Sequence, residues 1–168
     1  MRAFLEPHPQ TPSAVVKRIT VDISCEGPRL RLTYGVDGDT AKVLWPGPAT
    51  VGRADGLWRH TCFEAFVQSD EGYHEFNLSI SGQWASYRFE DYRQGMAQAV
   101  EEAERVSLEV GVDHTEVGFL IDLPEGAHRL GLSAVLEDID GEISYWALAH
   151  PSDKPDFHHP DSFVLELP

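Results

Sequence analysis

Positive charge is what this chain has least of. Lysine and arginine number 13 against 28 acidic residues in 168, a formal net charge of −15. A nucleic acid or an anionic membrane surface needs a basic patch, so neither is expected as a partner. Cysteine is scarce as well. Cys25 and Cys62 are the only two and lie apart, so free thiols are expected rather than a disulfide framework. No apolar run approaches a membrane span. The opening segment, interrupted at Pro7 and Pro9, breaks too soon for a secretory signal, and a cytoplasmic location is the expectation. Also missing are a serine nucleophile elbow, a phosphate loop, a dinucleotide fingerprint, a His-Glu-x-x-His helix and paired Cys-x-x-Cys motifs.

What the sequence does contain is short alternating segments separated by turn residues. Residues 15–24 are rich in β-branched side chains, and residues 29–36 place Leu30, Leu32 and Tyr34 on one face. Further strands are expected at 41–45, 106–112, 116–123, 129–137, 142–149 and 162–167, and 96–105 reads as a short helix or a loop. Residues 1–13 read as an extended lead-in. The pattern predicts one all-β domain over 1–168, an antiparallel β-sandwich of jelly-roll-like type, with a closed barrel as the alternative.

The richest stretch is 58–89, three strands joined by tight turns at Ser69-Asp70-Glu71-Gly72 and Ser81-Gly82. Those turns pair Phe63 with Leu78, Ala65 with Phe76 and Val67 with His74, then Leu78 with Ala85 and Phe76 with Tyr87, an apolar core face. The opposite face reads Cys62–Ser79–Trp84, Glu64–Asn77–Ser86 and Phe66–Glu75–Arg88. Such a face suits a solvated exterior with a Glu75–Arg88 ion pair. It suits a ligand-binding face better, with Trp84 as a stacking platform and the polar groups fixing orientation.

Other constellations carry chemistry too. At 129–149 the expected pairing turns Ser144 and Trp146 away from the core, so Trp84 and Trp146 could together flank a pyranose ring. Residues 150–161 hold His150, His158 and His159 among prolines and aspartates, and His60-x-Cys62 adds donors. This spacing matches no established metal motif, and neither a metal nor another cofactor is expected. Glu64 and Glu75 on one face also permit a glycosidase reading, although Arg88 opposite Glu75 would hold it ionised.

Three runs carry a family resemblance: His60-Thr61-Cys62-Phe63-Glu64-Ala65-Phe66-Val67, Gly72-Tyr73-His74-Glu75-Phe76-Asn77-Leu78-Ser79, and Gly82-Gln83-Trp84-Ala85-Ser86-Tyr87-Arg88-Phe89. With Tyr145 to His150 and Lys154 to His158, they resemble the DOMON-like group, related to the family-nine carbohydrate-binding modules. The likeness covers the chain from about Trp58 onward. It implies a β-sandwich that binds sugars or, in other branches, haem through axial Met and His ligands; Met96 is the only internal methionine here. The resulting expectation is a non-catalytic module for a small carbohydrate or similar polar ring compound. Its ligand residues are Glu64, Glu75, Asn77, Trp84, Arg88 and Trp146. An acidic protein-interaction surface is the alternative.

Overall fold

The computed structural model describes residues 1–167, so Pro168, the last position of the expected domain, lies outside the described residues. Thirteen strands join one sheet among them. In chain order they are β1 (Arg2–Pro7), β2 (Val16–Glu26), β3 (Arg29–Gly38), β4 (Gly52–Arg53), β5 (Cys62–Ser69), β6 (Gly72–Leu78) and β7 (Gln83–Phe89). There follow β8 (Ala97–Gln98), β9 (Ala103–Val110), β10 (His114–Asp122), β11 (Arg129–Glu137), β12 (Ile143–Ala147) and β13 (Leu165–Glu166). The chain is thus all-β apart from three single 3-10 turns. No helix among the described residues is long and apolar enough to cross a membrane.

The order β4-β7-β6-β5-β11-β12-β1-β2-β3-β10-β9 is antiparallel except where β4 runs parallel to β7. The two ends of the sheet come back towards each other, β9 touching β7 and β6, which leaves a barrel nearly closed. One half of the sheet is β2, β3, β10 and β9; the other is β12, β11, β5, β6 and β7. β1 belongs to both. Arg2 to Leu5 pair with β2, whereas Glu6 and Pro7 pair with Ala147 and Trp146 of β12. The segment expected to be a lead-in is therefore the splice of the sheet.

The interior fills as the alternation predicts on the first half. Ile19, Val21, Leu30, Leu32, Tyr34 and Ile121 face Phe63, Ala65, Phe76, Leu78, Leu130 and Leu132. Each of the Val, Leu, Ile and Phe side chains contributes roughly 1.5–3 kcal/mol by leaving water. Tyr34 packs against Phe63 at 4.7 Å between ring centroids and donates its hydroxyl to the carbonyl of Glu64 at 2.9 Å, so its polar end is satisfied.

Two expected elements differ. Residues 41–45 form a 3-10 turn at Thr40–Lys42 and a single bridge from Val43 to Asp138, because Thr40 is tied to Gly111 and Trp45 bonds back to Thr40. Residues 96–105 are extended. Ala99 and Ala103 are buried and Arg53 donates to the Ala99 carbonyl, and these tertiary contacts override the helical preference of Ala and Glu.

The β5–β6 turn has the expected register, Ser69 pairing with Gly72. The β6–β7 turn is one residue longer than read. Ser79 and Gln83 close it around Ile80-Ser81-Gly82, with Gly82 at φ +92°. The β11–β12 turn is the same: Asp138 and Glu142 close it around Ile139-Asp140-Gly141, with Gly141 at φ +83°. A three-residue loop ending in a left-handed glycine replaces the two-residue turn in each case. A slip of one residue turns every later side chain to the other face. Leu78 therefore pairs with Trp84, and Ala134 with Trp146. Trp84, Ser86 and Arg88 leave the Glu64 face, while Tyr87 joins it.

Gly72 has φ +130°, and a Cβ there would stand 2.0 Å from the Phe89 carbonyl oxygen. Gly27 is also left-handed, at φ +63°, but faces open space. Gly72→Ala is expected to destabilise by about 3 kcal/mol or more and Gly27→Ala by only about 1 kcal/mol. Urea unfolding of both variants checks this, and equal losses would show that the close approach at Gly72 is not tight.

Candidate ligand-binding site

The face of β5, β6 and β7 that turns away from the core reads Glu64–Asn77–Ala85, Phe66–Glu75–Tyr87 and Gln68–Tyr73–Phe89 across the three strands. A sheet face of this kind would ordinarily meet water. Here it is roofed by the segment that follows β12. Phe157 and Phe163 join Phe66, Tyr73, Phe89 and Val135 in a second apolar cluster, and Phe163 stacks on Phe66 at 5.9 Å. The approach needs a glycine on β11: a Cβ at Gly131 would stand 2.7 Å from the Phe163 ring.

The roof covers only part of the face. Beside it opens a cavity of about 660 Å³. Glu64 and Glu75 form its floor, Tyr87, Phe89, Val135, Tyr145 and Phe157 its walls, and Trp58, Met96, Arg93 and Lys154 its rim. An apolar wall around a few convergent polar groups is the usual make-up of a small-molecule pocket.

Both floor carboxyls are buried, at 3% and 6% exposure. They are diagonal neighbours across the hairpin, roughly 7–8 Å apart at the backbone. Burial, then the charge of Glu75, holds Glu64 well above the usual carboxylate range, opposed by the Ser133 hydroxyl, which donates to Oε2 at 3.3 Å. Burial also raises Glu75 to about 7, with the Asn77 amide and Arg93 opposing. Asn77 itself is fully buried, and neither of its amide atoms makes a well-formed hydrogen bond.

His158 enters from the roof. Its Nδ1 lies 2.8 Å from the Tyr73 hydroxyl and its Nε2 3.4 Å from Glu75. Burial, then Arg93, lowers its pKa to about 4, so the ring is neutral near pH 7. A tautomer that accepts from Tyr73 at Nδ1 and points Nε2–H at Glu75 satisfies both contacts. Arg93 is bound to Asp156 at 2.8 Å, and Tyr87 donates to Asp55.

Of the six expected ligand residues, three come together on this face: Glu64, Glu75 and Asn77. The other three are elsewhere. Trp84 lies against the main core with the Arg53 guanidinium 4.5 Å from its ring centroid. Trp146 is buried in that core and donates its indole N–H to Ser144. Arg88 is exposed across from His74, so the expected Glu75–Arg88 pair is replaced by Glu75 beside Tyr87. The longer turns cause all three departures. The site gains Trp58, Tyr87, Arg93, Tyr145 and His158, which the sequence reading did not assign; Tyr87 and Tyr145 follow from the corrected registers alone.

The remaining histidines are tied individually. His60 meets Glu137 at 2.7 Å, His150 meets the Glu6 carbonyl at 2.8 Å, and His159 Nδ1 accepts from the Asp161 N–H. Among the described residues no three His, Cys, Asp or Glu side chains gather as metal ligands. In comparisons with known proteins, no family model and no curated protein matches the chain.

Glu75 makes the fold pH-sensitive. The unfolded chain releases this proton near pH 4.5 and the folded one near 7, so its full contribution is present below 4.5 and is lost as pH rises through 7. Glu64 acts in the same direction. His158, lowered from 6.5 to about 4, opposes them only below about pH 6.5, where stability is lost as pH falls. Glu75→Gln is therefore expected to be about 2–3 kcal/mol more stable than wild type at pH 8 and nearly equal at pH 4. Urea unfolding at the two pH values measures the difference, and a constant gap across pH would contradict the assignment.

Proposed function

We propose that this chain is a DOMON-like β-sandwich that binds a small carbohydrate or similar polar ring compound in the cavity over Glu64 and Glu75, without turning it over. The observation that supports it best is the cavity itself, built around two buried carboxyls and walled by aromatic rings. Sugar C–H faces pack on such rings, and carboxyl groups take the hydroxyls. A recessed site of this size favours a small ligand over the acidic protein-interaction surface. The cytoplasmic location is part of the same proposal and rests on the sequence.

A haem does not fit these residues. Met96 and His158 both line the cavity, but the imidazole has Nδ1 against Tyr73 and Nε2 against Glu75, which leaves neither nitrogen directed at an iron. Hydrolysis has one observation in its favour: two carboxyls from adjacent strands line one cavity, the pair of groups a glycosidase needs. Burial of both carboxyls, which disfavours an ionised nucleophile or base, weighs against it.

Calorimetry with a panel of monosaccharides and disaccharides tests the proposal. Tyr145→Ala is expected to weaken binding about tenfold, and Trp84→Ala to leave affinity unchanged while lowering stability. Glu64→Gln should weaken binding modestly. Loss of measurable sugar release in that variant, with binding intact, would establish the glycosidase instead. No binding to any sugar by the wild type would remove the carbohydrate reading.

A further inference from the structure

Two acidic side chains share this buried face, and among the described residues neither is in an ion pair with an arginine or a lysine. Arg93 lines the cavity and its charge acts on Glu75, but its guanidinium is held by Asp156 at 2.8 Å. His158 reaches Glu75 but as a neutral ring. Lys154 stands at the rim and has no ion-pair partner among the described residues. Two carboxylates cannot both ionise in a poorly solvated site without a compensating positive group.

Three further features suit a cation. The aromatic side chains of Tyr87 and Tyr145 line the same cavity, and aromatic rings attract ammonium groups. Asn77, directly across from Glu64, is fully buried, and neither its oxygen nor its nitrogen makes a well-formed hydrogen bond. Of the two carboxyl oxygens of Glu64, Oε2 alone receives a side-chain hydrogen bond among the described residues.

Resting on the ring-binding proposal above, we infer that the ligand carries a protonated amine, and that this amine sits between Glu64 and Glu75. An amino sugar or a cyclic amino alcohol is the chemical class. The ammonium supplies three donors to the two carboxyls, and the rest of the ring lies along the aromatic wall. Ionising the pair sends the carboxyl protons to solvent, so binding releases protons and tightens as pH rises.

The other groups around the cavity hold their states between pH 6 and 8. His158 is neutral throughout, Tyr73 and Tyr87 are raised and stay protonated, and Arg93 remains paired with Asp156. On the neighbouring β11, Ser133 and Val135 carry no charge. His74, next to Glu75 in sequence, faces the opposite side of β6 and meets Glu101.

The test uses the whole protein and two ring compounds of matched shape, trans-4-aminocyclohexanol and trans-cyclohexane-1,4-diol, with glucosamine and glucose as the sugar pair. Calorimetry at pH 6, 7 and 8 in buffers of different ionisation heat gives affinity and proton release together. The aminocyclohexanol is expected to bind about tenfold tighter than the diol or more, with the gap widening by up to about tenfold per pH unit as a proton leaves. Glu64→Gln and Glu75→Gln, which keep shape and remove charge, should each close most of that gap. Equal affinity for the diol and the amine, or for glucose and glucosamine, overturns the amine inference and leaves the ring-binding proposal standing. A preference that survives in both glutamine variants also overturns it. No binding by any of the four compounds removes both.

Discussion

The packing of Phe163 over Gly131 and against Phe66 is the contact on which the outer face of this sheet depends. It brings the segment after β12 down onto β5 and β11, and with it come Phe157 and His158. Without that cover Glu64 and Glu75 would be ordinary carboxylates on a wet sheet face, fully ionised and of little consequence. With it, one side of the β5–β6–β7 ladder is dry core and the other is a half-roofed chamber. The abnormal proton affinities follow from this burial, because desolvation is the largest cause of each shift.

Much of this was legible in the sequence. The β-branched and alternating runs located most strands, and the two-residue turn before Gly72 fixed the β5–β6 register, which places Glu64, Asn77 and Glu75 on one face. What misled the reading was a single kind of event, repeated. Ser81-Gly82 and Asp140-Gly141 both look like two-residue turns, yet each glycine closes a loop one residue longer. Local hydrogen bonds select the longer form. Ser79 Oγ accepts from the Ser81 N–H in the first, and Asp138 Oδ1 accepts from the Asp140 and Glu142 N–H groups in the second. Those bonds are cheap in energy, but a shift of one residue exchanged Trp84 for Tyr87 and Trp146 for Tyr145. The roof was not legible, since its anchor is a contact between an unremarkable glycine and a distant phenylalanine.

The same chamber lowers stability. A buried pair of acids is a poor way to hold a fold together, and apolar residues of similar size would serve better. The strain falls on a part of the molecule whose other face is well packed, with Phe63, Phe76 and Leu78 all fully buried. The core on one side of the ladder thus carries the electrostatic cost on the other, which is the usual arrangement where a site must present polar groups in a dry setting.

The double role of β1 has a consequence for how the chain reaches its native state. Glu6 and Pro7 pair with Ala147 and Trp146, so the seam between the two halves of the sheet joins the first residues of the sequence to a hairpin near its other end. Long-range pairings of this kind must wait for large loops to close. During synthesis β2 and β3 can pair as soon as they emerge, while Glu6 and Pro7 remain an open edge until β12 has been made. That interval is when the chain is most exposed to edge-to-edge association with its own copies.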